Sequence, residues 1–342
     1  MFTAKPAFEL YSTCPQSKDL SAESYLERVI DVARWSEDAG CCGILVYTDN
    51  GIVDPWLVAQ IVLQHTRALE PLVAVQPIYM HPYTAAKMVS SLAFMHGRRI
   101  ALNMLAGGFK QDLVALDDTT PHDDRYRRTV EYTKVMRQLL SSNQPVSIEG
   151  KYYTVRNLRM TPGLPPHLFP KILVSGSSDA GMAAARDMNA VAVRYPKPPG
   201  EEDDVRSYEA AGFGVRVGVI ARATDEDAWS VALERFPEDH AGQLRHKLAM
   251  KVSDSSWHQQ LSRRLPESSE GRSPYWLGPF QNYKTFCPYL VGTYACVAEL
   301  IAGYVQTGYT SFILDIPASR EELQHVRAVF ELATRALASS AA

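Results

Sequence analysis

Two stretches carry residue types that suit a ligand better than a core. In RIALNMLAGG (99–108), Asn103 sits near the end of an apolar run that then opens into Gly107-Gly108. A plain core strand needs neither. A strand whose end touches a ligand has use for both. In ILVSGSSDAGMAAA (172–185), an apolar run ends in Ser175-Gly176-Ser177-Ser178, and Asp179 then opens a helical pattern. Free N–H groups at a helix start, with hydroxyls and a glycine that allows close approach, form an anion site, and a phosphate is a natural guest. Ser and Asp are also preferred helix caps, so capping alone accounts for the same residues.

Other reactive types are scattered. Cys14 reads either as a reactive thiol or as a small buried hydrophobe. His81 precedes Pro82 at a helix start, and Glu201-Glu202-Asp203-Asp204 reads as a solvated helix start. No H-E-x-x-H and no His/Cys/Asp cluster at metal spacing occurs, so no metal is expected. The absence of G-x-S-x-G disfavours a serine hydrolase.

These residues need a scaffold, and short apolar runs alternating with amphipathic segments supply one. Strands are predicted at 8–13, 43–48, 72–77, 100–106, 171–176, 190–195, 215–221 and 311–316, most of them apolar on both faces as buried parallel strands are. Helices are predicted from Ser21 to about Ala39, from His122 to Leu140, and from Thr224 onward. Eight strands alternating with helices predict an α/β fold, a (β/α)8 TIM barrel with insertions, in one domain spanning 1–342. An open doubly wound sheet is the alternative, weakened by the lack of G-x-G-x-x-G after the first strand. Two segments break the repeat. VSIEGKYYTVR (146–156) reads as an inserted hairpin, and 237–290 as a long lid-like insertion containing Trp257, Tyr275, Trp276, Phe280 and Tyr283. The polar ESSEGRS patch near residue 270 is the one low-complexity stretch.

Composition narrows the partners. With 46% hydrophobic and 21% charged residues among 342, the balance is that of a soluble globular chain. A net charge of −3 leaves no basic surplus for nucleic acid. Five cysteines without a C-x-x-C pair, no apolar leader and no 18-residue apolar run point to a cytoplasmic protein with no membrane span.

Taken together, RIALNMLAGG, PHDDRYRRTVEYTKVMRQLL, IEGKYYTVRN, ILVSGSSDAGMAAA and VRVGVIARATDEDAW, with DPWLVA at 54–59 and SFILDIP near the end, resemble in order and spacing the bacterial luciferase-like monooxygenases. The branch most similar is that of the FMN-dependent alkanesulfonate monooxygenases. The resemblance implies reduced FMN as co-substrate, supplied by a separate NAD(P)H-dependent flavin reductase, and O2 activation through a C4a-(hydro)peroxyflavin. It also implies a small-molecule substrate and a homodimer or homotetramer. Matched by motif, Asn103 faces the flavin ring or ribityl chain, and Tyr47 and Thr48 lie against the isoalloxazine. Arg125, Tyr126, Ser177 and Ser178 hold the phosphate, with Arg216 and Lys284 as cations of the catalytic site. Cys14 is similar in placement to an active-site cysteine of the long-chain alkane branch.

Four positions depart from the alkanesulfonate pattern. Ile52 stands where a cysteine is expected, Gly218 where a histidine follows Arg216, Lys284 for a lid arginine and Ile316 for a tyrosine. Lys in place of Arg removes bidentate recognition of a sulfonate. The expected substrate is therefore larger or less anionic than a simple alkanesulfonate. Two further readings stay open: a deazaflavin-dependent dehydrogenase of the same superfamily, and a barrel that binds flavin without catalysis.

Overall fold

A computed structural model describes residues 8–340 apart from 109, 199, 202–203, 209, 253–255 and 265–271. Much of the polar 267–273 patch, and Glu202 and Asp203 of the acidic run, therefore lie outside the described residues.

Eight parallel strands close into a barrel. In chain order the strands are β1 (Glu9–Thr13), β2 (Gly43–Val46), β3 (Glu70–Val75), β4 (Ala101–Met104), β5 (Val146–Glu149), β6 (Thr154–Leu158), β7 (Ile172–Ser175), β8 (Val191–Arg194), β9 (Gly212–Arg222), β10 (Tyr275–Trp276), β11 (Tyr289–Thr293) and β12 (Tyr309–Leu314). The barrel runs β1-β2-β3-β4-β7-β8-β9-β12, and β12 returns to β1, with Leu10 opposite Phe312. These eight are the strands expected from the apolar runs. Each is buried on both faces, so its sequence shows a continuous run rather than an alternation.

The barrel interior is filled by Tyr11, Leu45, Leu72, Ala101, Leu173, Val191, Val193 and Ile313, and a larger cluster fills the layer between strands and helices. Ion pairs close the N-terminal end of the barrel: Lys171 with Glu9, and Arg99 Nη2 with Glu70 Oε1 at 2.7 Å. The opposite end is thereby left for a ligand.

The helices are α1 (Ala22–Asp38), α2 (Pro55–His65), α3 (Pro82–His96), α4 (Lys110–Ala115), α5 (His122–Ser141), α6 (Asp179–Asp187), α7 (Asp225–Arg235), α8 (His240–Val252), α9 (Ser256–Arg263), α10 (Gly278–Gln281), α11 (Tyr294–Gln306) and α12 (Arg320–Ser340). Side-chain caps mark the predicted starts. Ser21 accepts from Ser24 N, and Thr224 from Asp227 N.

Segment 146–158 forms an antiparallel pair on α5. Its turn is fastened by Glu131, whose carboxylate accepts from the N–H groups of Lys151, Tyr152 and Tyr153 at 2.7–3.0 Å. Gly150 is required there, because a Cβ would lie 2.2 Å from Glu131 Oε1.

The structure departs from the sequence reading at β9. This strand has 11 residues, too long for the barrel alone. Its first half pairs with β8 and β12, and its second half with β11, a further parallel strand that pairs in turn with β10. The stretch 237–290, expected as a lid-like insertion, holds α8, α9, β10, α10 and the start of β11 among its described residues.

Candidate functional site

A cavity of about 450 Å³ opens at the C-terminal ends of the barrel strands. Its walls come from Tyr47 and Thr48 after β2, Gln76 after β3, Asn103 on β4, Ser175 to Ser177 at the end of β7, Tyr195 after β8 and Arg216 on β9.

Asn103 is buried, and its Oδ1 accepts the Ser175 hydroxyl at 2.9 Å. That bond leaves the two amide N–H donors for a ligand. Beyond it, Gly107 takes φ +93°, a conformation that favours glycine, and together with Gly108 it lines the cavity.

At the end of β7 the two readings of the Ser-Gly-Ser-Ser motif both apply, to different serines. Ser178 caps α6, accepting from Gly181 N at 3.2 Å. Ser177 lines the cavity, and its buried Oγ has no partner among the described residues. Tyr126 reaches over from α5. A Cβ on Gly176 would lie 2.2 Å from its hydroxyl, so the glycine is what lets the phenol in. Burial raises the Tyr126 pKa, and a hydrogen bond to Ser178 partly offsets that. The phenol is therefore a neutral donor at physiological pH. Arg125 does not line the cavity. It is buried beneath the loop before α5 and donates from Nη1 to Thr120 O at 3.0 Å.

Arg216 is held from two sides. Its guanidinium carbon lies 4.8 Å from the Tyr47 ring centroid, and Nη2 is 3.8 Å from Asp315 Oδ1. Asp315 Oδ2 in turn accepts from Thr285 Oγ1 at 2.6 Å and from the Tyr289 hydroxyl at 2.8 Å. Arg216 Nε is buried without a partner among the described residues.

The structure does not bring Lys284 or Cys14 to the cavity wall. Lys284 Nζ pairs with Asp239 Oδ2 at 2.7 Å, outside the cavity, while its neighbours Tyr283 and Phe286 line it. Cys14 is fully buried in the main core cluster, and desolvation pushes its thiol pKa up, which works against thiolate chemistry. His81 caps α3, its Nδ1 accepting from Tyr83 N at 3.2 Å. Gly218 has a structural cause: a Cβ there would lie 2.3 Å from the Tyr289 ring, so Tyr289 occupies the space of any side chain. Ile52 lines a second cavity of about 290 Å³ that shares Thr48, Asp49, Ala74 and Gln76 with the first. Ile316 contributes its carbonyl, which accepts from Arg235 Nη2 at 2.9 Å.

Residues unassigned by sequence reasoning complete the wall. His122 lines it from α5, with Nδ1 2.7 Å from Asp123 Oδ1. Ala249 and Met250 line it from α8, and Tyr283 and Phe286 from the strap that follows α10. The aromatic content of 237–290 is the sequence signal for Tyr283 and Phe286, and His122, Ala249 and Met250 have none. Tyr283 adopts φ +56°, unusual for a residue with a side chain and common where a chain is bent to serve a site.

A model of the luciferase-like monooxygenases matches residues 8–311. The chain belongs to that family. Across 315 residues it is 33% identical to the 4-(gamma-L-glutamylamino)butanoyl-[BtrI acyl-carrier protein] monooxygenase BtrO of Niallia circulans, covering 90% of this chain and 92% of the relative. Among solved structures it is similar to the EDTA monooxygenase EmoA of Chelativorans sp. BNC1, with a TM-score of 0.71 and 14% identity, over 98% of this chain and 95% of the other. The oxygenating constituent of 3,6-diketocamphane monooxygenase of Pseudomonas putida, in complex with FMN, gives a TM-score of 0.68 at 16% identity, over 97% and 98%. At these identities the likeness shows the luciferase-like (β/α)8 barrel. Among the described residues no helix is long and apolar enough to cross a membrane, and no group of three or more His, Cys, Asp or Glu could hold a metal ion.

Proposed function

We propose that this protein is a two-component flavin-dependent monooxygenase that takes reduced FMN from a separate NAD(P)H-dependent flavin reductase and oxygenates an acyl substrate carried as a thioester on an acyl carrier protein. The observation that carries the flavin part is the polar wall of the cavity. The unpartnered Ser177 Oγ beside the start of α6, the Tyr126 hydroxyl and the spare Asn103 donors stand along a cavity that Tyr47, Tyr195, Tyr283, Phe286, Gly107 and Gly108 also line. That donor set fits a phosphorylated ring cofactor. Ser177, Tyr126 and the N–H groups opening α6 would hold the phosphate, Asn103 the ring or ribityl chain, and Tyr47 and Thr48 the ring face.

When bound, reduced flavin supplies the electrons that activate O2. The protein binds and orients it, and Tyr195, Met250, Tyr283 and Phe286 exclude water. Arg216 presents a fixed positive charge to the cavity, suited to a substrate carbonyl or to the reacting oxygen. Lys284 and Cys14 have no part in this assignment. The carrier-bound substrate rests on the relative from Niallia circulans and agrees with the loss of sulfonate-suited residues at Ile52, Gly218 and Ile316.

The test is an anaerobic titration with reduced FMN and, in parallel, reduced deazaflavin F420. Reduced FMN is expected to bind, and Ser177→Ala with Tyr126→Phe to weaken that binding at least tenfold, since the fold keeps its Ser178 cap. A preference for the deazaflavin turns the reading to hydride transfer, and binding of neither removes the cofactor site.

A further inference from the structure

Helix α8 has two faces with different work. At ~100° per residue, Gly242, His246, Ala249 and Met250 fall on one side and Leu244, Arg245, Lys247 and Leu248 on the other. The inner side is locked down. His246 stacks edge-on against Phe280 at 4.6 Å between ring centroids, and its Nε2 lies 3.0 Å from Ser262 Oγ on α9. Gly242 sits so close to Asn282 that a Cβ would lie 2.1 Å from its carbonyl oxygen. Asp239, just before the helix, accepts from Gly242 N at 2.8 Å and pairs with Lys284. Ala249 and Met250 on this side line the cavity.

The outer side carries what an exposed helix normally avoids. Leu244 is 60% exposed and Leu248 55%, one turn apart. Lys247 flanks them on one edge and Arg245 on the other, both exposed. The 13 residues of the helix include no carboxylate. A pair of exposed leucines framed by cations suits a partner that offers an apolar contact inside an acidic surface.

We propose that the outer face of α8 is the docking surface for an acidic acyl carrier protein, which passes its tethered acyl chain over the rim into the cavity. The inference rests on the carrier-bound substrate proposed above. Acyl carrier proteins are small acidic helical domains that hold the acyl group on a flexible pantetheine arm. Docking on α8 places the arm's root a single helix, ~10 Å thick, from the cavity wall formed by Ala249 and Met250. The arm is thin and flexible, so the carrier domain itself stays outside. The ion pair of Lys284 with Asp239 and the packing of His246 hold the rim still, which makes the surface preformed.

The probe is the BtrI acyl-carrier protein bearing its 4-(γ-L-glutamylamino)butanoyl thioester, titrated against the full chain by surface plasmon resonance at low and high salt. Wild type is expected to bind, more weakly as salt rises. Arg245→Glu with Lys247→Glu is expected to weaken binding at least tenfold, and Leu244→Ser with Leu248→Ser to weaken it severalfold with the salt dependence retained. Reduced FMN binding of both variants reports that the barrel is intact. Equal carrier binding by wild type and the charge-reversed variant overturns the docking surface and leaves the carrier-bound substrate standing. No carrier binding by wild type, with oxygenation of the same acyl group on free pantetheine, overturns the carrier reading and the surface with it. Wild-type binding to anionic phospholipid vesicles that the charge reversal abolishes, without carrier binding, assigns the face to a membrane and overturns the proposal.

Discussion

Arg216 shows how a guanidinium is fixed in a wall with hydrogen-bonding capacity to spare, its Nε having no partner among the described residues. Direct contact with a carboxylate would spend its hydrogen-bonding capacity on the protein. Here Asp315 stands 3.8 Å away, its other oxygen already taken by Thr285 and Tyr289, and the aromatic face of Tyr47 takes the flat side of the guanidinium. Burial comes first in raising the Tyr289 pKa, and the neighbouring Asp315 charge adds to it, so the phenol stays a donor. Arg216→Met is therefore expected to keep reduced FMN binding and to lower kcat at least a hundredfold, about 2.7 kcal/mol of transition-state stabilisation. Asp315→Asn keeps the Arg216 charge and removes the carboxylate that restrains it. Its expected effect is about tenfold on kcat/KM, with most of the loss recovered by nothing short of the carboxylate. Steady-state kinetics of both variants with the proposed thioester substrate checks this, and an Arg216→Met enzyme at wild-type rate removes the arginine from the site.

At the scale of elements, the sequence shows best what is buried on both sides. The eight barrel strands are legible because each must bury two apolar faces, and the helix starts because Ser21, Ser178 and Thr224 satisfy first-turn N–H groups that have no partner within the helix. β11 is not legible, since YLVGT follows Phe286-Cys287-Pro288 directly at the end of the aromatic-rich insertion and acquires its role only because β9 overruns the barrel. The same limit explains Lys284 and Arg125. Their charge is visible in the sequence, but the partners that turn them away from the cavity, Asp239 and Thr120 O, are fixed by the fold. Ser177 and Ser178 are adjacent and alike, and only the helix geometry makes one a cap and the other a wall.

Single anchors between elements also set the acid limit of the fold. Glu37, near the end of α1, opposes its own desolvation by accepting from the N–H groups of Ala68, Leu69 and Arg67 at 2.6–3.1 Å, which holds its pKa below the usual carboxylate range. A carboxyl depressed in the folded state stabilises above its unfolded pKa, and that contribution is lost as pH falls through the folded pKa. Glu37→Gln should thus lower stability at pH 7 by about 1.5–3 kcal/mol, the value of a hydrogen bond to a charged group. The gap between variant and wild type should close as pH drops below the carboxylate range. Urea midpoints of both proteins at pH 7 and pH 3 measure this, and an equal gap at both pH values would show that charge has no part in it.

Over the whole molecule, a second exposed apolar surface stands apart in sequence from α8. Met88, Phe94 and Met95 project from α3 and Leu57 from α2, with Phe94 73% exposed and Met95 58%. Neighbouring helices with several large apolar side chains in water mark an interface. Lys87 falls on the same side of α3, but its Nζ is turned to Thr161 O, so the partner the face suits is mainly apolar, and a second copy of the same face meets that requirement by two-fold symmetry. Light scattering after size exclusion is expected to give a particle of twice the chain mass. Phe94→Glu with Met95→Glu places four like charges across the two-fold and should yield a monomer. Because Arg245 and Lys247 lie on another helix, that monomer should bind the carrier protein as wild type does. A monomeric wild type would remove the dimer. A charge-bearing α3 variant that stays dimeric while losing carrier binding would exchange the roles of the two surfaces, placing the carrier on α3 and the second copy on α8.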